Sequence, residues 1–131
     1  MRREIKMDFK EVLEIHLGAV KDKDLDIFIT TISKEVVTLI MPNGVLISGR
    51  EEFIEFHKDW FSDKDWTLNY EIVKIEEGEE ISFALLKVDY KDIDSSGNEY
   101  SLNYYLTLLF KKSEGKWSLI YDQNTLFNNK K

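Results

Sequence analysis

Two imidazoles, His16 and His57, are the side chains of this sequence that titrate near neutral pH without help from their surroundings. His16 lies on an apolar stripe at helical spacing, Phe9, Val12, Leu13, His16, Leu17 and Val20. If that stripe borders a cavity, His16 can serve as a general acid or base. The same position also suits a core histidine whose two nitrogens are satisfied by a backbone carbonyl and a neighbouring side chain. His57 carries the same ambiguity among Phe53, Ile54, Trp60 and Phe61. The remaining candidate chemistry is hydrogen bonding. In the stretch 116–127, KWSLIYDQNTLF, strict alternation puts Trp117, Leu119, Tyr121, Gln123 and Thr125 on one side. That side begins apolar and ends polar, which is how the wall of a half-polar pocket reads. Tyr121 and Gln123, with Asn103, Tyr105 and Thr107 of the preceding stretch, are therefore the expected ligand-binding residues; they orient a ligand more readily than they break one. The same alternation turns Asp122 toward the opposite face, unless a bulge re-aims it.

Metal chemistry is not expected. Two distant histidines and no cysteine make no zinc pattern, and the absence of cysteine also excludes disulfides. Asp92-Ile93-Asp94-Ser95-Ser96-Gly97 imitates the start of a calcium loop, but its twelfth position is Asn103 rather than Glu and its flanks read as strands. The expectation there is a hairpin turn. No cofactor is expected.

The elements that must position these residues follow from periodicity. Asp8 and Glu11 form a capping box at the head of the first helix, and Lys21-Asp22-Lys23-Asp24 breaks its stripe. A short second helix follows, with Leu25, Phe28, Ile29 and Ile32 inward and Asp22 as its cap. Val36–Met41 and Val45–Ser48 read as short strands around Pro42-Asn43-Gly44. Ser48 and Glu51 suggest a second capping box for a third helix. From Trp66 the period changes to two, giving strands at 66–76, 81–93, 100–111 and 116–125, joined around Gly78, Gly97 and Gly115. The short connections imply antiparallel neighbours. The chain of 131 residues is thus one α+β domain, three helices and a curved, mostly antiparallel sheet.

A formal charge of −7 opposes nucleic-acid binding, and the one basic cluster, Lys130-Lys131, is too short to reverse that. Met1-Arg2-Arg3-Glu4 precedes no long apolar run, so neither a signal peptide nor a membrane span is expected, and the cytoplasm is the expected location. In the stretch 100–111 both faces are largely apolar: Leu102, Tyr104, Leu106, Leu108 and Phe110 on one, Tyr105, Thr107 and Leu109 on the other. Three helices cover one face only, so a homodimer through the other is expected.

The element order resembles the nuclear transport factor 2-like superfamily, within it the SnoaL-like or ketosteroid isomerase-like group. The residues that carry the resemblance are Leu25–Ile32 after the charged corner, Gly44 and Gly49 before the third helix, Ala84, and Gly115-Lys116-Trp117 leading to Tyr121-Asp122-Gln123-Asn124-Thr125. The resemblance implies a cystatin-like cone with a cavity at its open end, bordered by Trp60. It does not settle function, because that superfamily holds isomerases, cyclases, dehydratases and non-catalytic assembly domains. Ketosteroid-type isomerisation is not expected: the carboxylate base corresponds to Met41, the donor tyrosine to His16 and the donor acid to Leu106. The expected function is the binding of a small organic molecule. The alternatives are a lyase, isomerase or cyclase using His16, and an assembly domain.

Overall fold

In the computed structural model, which describes residues 7–127, helix α1 (Phe9–Asp22) begins at the expected capping box. The Asp8 carboxylate accepts from the Glu11 N–H at 2.9 Å and the Glu11 carboxylate accepts from the Asp8 N–H at 3.0 Å. Met1–Glu4 and Lys130-Lys131 lie outside the described residues. Helix α1 stops at Lys23, which turns left-handed (φ 57°), so that the cap of α2 (Leu25–Thr30) is Asp24 and not Asp22. Asp22 is still inside the last turn of α1; Asp24 is the first residue beyond it with extended backbone, and its carboxylate accepts from the Ile27 N–H.

Strands β1 (Thr38–Ile40) and β2 (Leu46–Ser48) form the expected hairpin, shorter than the apolar runs that announced it. Ser48 does not cap α3 (Arg50–Ser62). It is the last paired residue of β2, and Gly49 stands at the N-cap with φ 106° and no side-chain bond. The four long strands are β3 (Thr67–Glu76), β4 (Ile81–Ile93), β5 (Glu99–Ser113) and β6 (Lys116–Leu126). The Asp94 carboxylate accepts from the N–H groups of Ser96 and Asn98, so the calcium-like stretch closes the β4–β5 hairpin on itself.

The strands assemble in the order β2-β1-β6-β5-β4-β3, antiparallel except where β1 runs parallel to β6, into one curved open sheet with the helices on its inner face. Between them lies a core of Phe9, Leu13, Phe28, Phe53, Leu86, Leu108, Phe110 and Leu119, each at most 1% exposed. Burial of this apolar surface is the main force that holds helices to sheet.

An irregularity opposite β5 decides which residues of β6 face the interior. In the β5–β6 ladder Phe110 pairs with Leu119 but Leu109 pairs with Tyr121, leaving Ile120 as an extra residue. Such a bulge reverses the inward and outward sense of every side chain after it. Trp117 and Leu119 face the core before it; Asp122 and Asn124 face inward after it. The opposite edge of β6 changes partner at the same place, from a parallel bridge to Ile32 at Leu119 to the ladder with β1 that begins at Tyr121.

Candidate small-molecule site

The inner face of the sheet and the three helices enclose a cavity of about 410 Å³. His16, Leu17 and Val20 come from α1, Phe56, His57 and Trp60 from α3, Met41 to Asn43 from the β1–β2 turn, and inward residues of β3 to β6 complete the wall. Most of that wall is hydrocarbon or aromatic, with few polar groups, as small-molecule sites are built.

Asp122 is the carboxyl group of this cavity. It is 7% exposed, and burial raises its pKa from 3.8 to about 7, against the lowering effect of its hydrogen bond from Asn124. Asn124 Nδ2 donates to Asp122 Oδ1 at 3.1 Å and to the Ile40 carbonyl at 2.8 Å. Because a carbonyl can only accept, the second bond fixes which end of the Asn124 amide faces the carboxyl. Desolvation and the nearby Asp122 charge push the Tyr104 phenol upward, so it stays protonated and can donate.

The two histidines are neutral. His16 Nδ1 lies 2.8 Å from Thr31 Oγ1, whose own proton goes to the Phe28 carbonyl at 2.7 Å, so Nδ1 carries the hydrogen and Nε2 the lone pair. His57 Nδ1 donates to the Phe53 carbonyl at 2.8 Å, which gives it the same tautomer. Burial, then the neighbouring His57, lowers His16 to about 3; burial lowers His57 to about 4, against the opposing effect of its backbone bond. Phe28 packs between the two rings, with centroids 4.9 Å from His16 and 4.5 Å from His57. His16 therefore has both the bonded environment of a core histidine and a place in the cavity wall.

The rim is aromatic. Trp60 stacks on Trp66 with centroids 4.2 Å apart and planes 11° from parallel. Tyr90 Oη donates to Asp92 Oδ2 at 2.6 Å, Tyr100 Oη donates to the same oxygen at 3.3 Å, and Trp60 Nε1 donates to Tyr90 Oη at 3.4 Å. Burial, then the hydrogen bond to Asp92, raises the Tyr90 pKa, and Tyr100 is raised by desolvation and then the Asp92 charge.

Of the residues singled out in the sequence, His16 and Trp60 line the cavity. Asn103, Tyr105, Thr107, Tyr121 and Gln123 do not. They lie on the outer face of the sheet, where Thr107 pairs with Gln123 and Leu109 with Tyr121. For Tyr121 and Gln123 the cause is the Ile120 bulge; Asn103, Tyr105 and Thr107 share that outer face with them, because they alternate with the inward Leu102, Tyr104, Leu106 and Leu108. The inward turn of Asp122 has the same cause. The signal available was the apolar run Leu119-Ile120-Tyr121, which fits neither side of a strict alternation. Among the described residues no cluster of three or more His, Cys, Asp or Glu could hold a metal ion, and no helix is long and apolar enough to cross a membrane.

A curved sheet wrapped over three helices, with a cavity between them, defines a cystatin-like α+β protein. The SnoaL-like domain family matches residues 10–124, and the chain belongs to that family. No curated protein sequence matches it. A ketosteroid isomerase-like protein from Erwinia carotovora atroseptica SCRI1043 superposes with a TM-score of 0.75 at 18% identity, covering 91% of this chain and 93% of that one. An uncharacterised protein with a cystatin-like fold from Caulobacter vibrioides gives 0.73 at 19%, covering 92% and 87%. The association domain of C. elegans CaMKII gives 0.65 at 20%, covering 90% and 92%. At these identities the likeness is one of fold.

Proposed function

We propose that this chain binds a small organic molecule, apolar in body and polar at one end, with the polar end against Asp122. The observation that carries this reading is a buried carboxyl in an otherwise hydrocarbon and aromatic cavity, with one oxygen held by Asn124 and the other left for a guest. Ketosteroid-type isomerisation is not part of it. Met41, His16 and Leu106 all line the cavity, yet a thioether, a neutral imidazole with lowered pKa and an isobutyl group offer neither base nor oxyanion donors of that kind. Should the site catalyse proton transfer, Asp122, near neutrality, is better matched to the task than His16.

Native mass spectrometry on gently purified protein tests the reading. A discrete added mass that disappears in Asp122→Leu supports it; an added mass unaffected by that change places the guest elsewhere.

A second reading concerns the outer face. Tyr105, Thr107, Leu109 and Tyr121 present a half-buried, largely apolar surface on the side away from the helices, and association domains share this fold. That supports self-association through the sheet, compatible with a filled cavity behind it.

A further inference from the structure

The cavity's charge has one sign, while its hydrogen-bonding groups are mixed: the Tyr104 phenol can donate, and the Asp122 carboxyl and the free histidine nitrogens accept. Asp122 is inside, and Asp92 stands behind the rim, accepting from Tyr90 and Tyr100. Among the described residues no Lys or Arg lines the wall. The histidines spend their N–H groups on Thr31 and Phe53, so the nitrogens they have left are acceptors. An entering carboxylate or phosphate would meet no cation. A donor-rich head would meet acceptors.

The aromatic rim points the same way. A ring face is the negative end of a quadrupole, and Trp and Tyr are strong partners for ammonium groups. Donation of two phenol protons toward one carboxylate adds electron density to the Tyr90 and Tyr100 rings. The outer face of the Trp60–Trp66 stack already holds a cation: Lys23 Nζ sits 4.1 Å from the Trp66 ring centroid. Lys21 lies 5.8 Å from the Tyr70 ring, which is why Tyr70 is not counted as an open face. The whole chain, at −7, attracts cations at long range.

Resting on the binding reading above, we propose that the guest is a small organic cation, a protonated or quaternary amine on an apolar or aromatic body, taken up in the cavity whose wall carries the Asp122 carboxyl and the Trp60, Tyr90 and Tyr100 rings. The Asp122 charge offsets the cost of removing an ammonium from water, and the ammonium in turn keeps the carboxyl ionised. The rings select for positive charge without demanding a particular number of N–H donors.

Isothermal titration with four probes of similar body tests this: 2-phenylethylamine, benzyltrimethylammonium, 2-phenylethanol and phenylacetate. The two cations should bind about tenfold or more tighter than the alcohol, with phenylacetate weakest. Asp122→Asn, close in shape, should remove most of the advantage of 2-phenylethylamine, and Trp60→Leu should weaken benzyltrimethylammonium more than 2-phenylethanol. Alcohol or phenylacetate binding as tightly as the amines would overturn the cation inference and leave the cavity reading standing. No saturable binding by any of the four at millimolar concentration would overturn both.

Discussion

Asn124 ties Asp122 to strand β1, since one amide group donates both to the Asp122 carboxyl at 3.1 Å and to the Ile40 carbonyl at 2.8 Å. The bond is the part of the environment that favours the ionised carboxyl, and burial is the part that opposes it. Asn124→Ala should raise the Asp122 pKa further and, by leaving partly buried acceptors unpaired, cost about 1–3 kcal/mol of stability. Carboxyl-carbon NMR titration and urea denaturation read the two effects separately; an unchanged Asp122 titration would show that the amide does not hold the carboxyl in solution.

Asp122 also sets a pH dependence of known sign. In the folded chain its proton is held to about pH 7, whereas an ordinary aspartate loses it near 3.8. The folded state binds the extra proton between those values, so this group's contribution to stability falls as pH rises from about 4 to about 7 and is level above. His16 and His57, lowered to about 3 and 4, act in the opposite sense, losing stability as pH falls below 6.5. Comparing the native chain with Asp122→Asn cancels the histidines. The variant should gain relative stability across that window, by at most about 4 kcal/mol, in urea melts at pH 4.5, 6 and 8. A constant difference would contradict the buried carboxyl.

Two glycines should respond oppositely to alanine. Gly49 sits at φ 106° with open space where a Cβ would go, so Gly49→Ala is penalised by backbone strain alone, about 1–3 kcal/mol. Gly18, inside α1 and equally uncrowded, should gain about 0.5–1 kcal/mol as alanine. Chemical denaturation of both variants checks the pair, and a neutral Gly49→Ala would mean that the turn into α3 can relax.

For the outer face, Leu109→Asp places a charge in the centre of the surface proposed for self-association. Sedimentation should show a dimer for the native chain and a monomer for the variant, with the cavity's ligand preference unchanged. A native chain that sediments as a monomer would remove this reading.

The architecture was legible from the sequence because most of it depends on period: the stripe of α1, the box at Asp8 and Glu11, and the alternation of β4 and β5 each state which face is buried. Helix entries were less so. Ser48 has the chemistry of a cap, but its pairing with Thr38 claims it for the sheet. The site was least legible because alternation is a running parity, and Ile120 changes it with a residue that carries no Gly or Pro to mark the change. His16 and Trp60 sit on helices, beyond the reach of that error, and both border the cavity.

The paired indoles of Trp60 and Trp66 give this chain an optical property of its own. At 4.2 Å and nearly parallel, their transition dipoles couple, and one of the pair borders the cavity while the other is 1% exposed. Whatever enters perturbs one half of a coupled chromophore, so occupancy is written into the ultraviolet circular dichroism of the unlabelled protein.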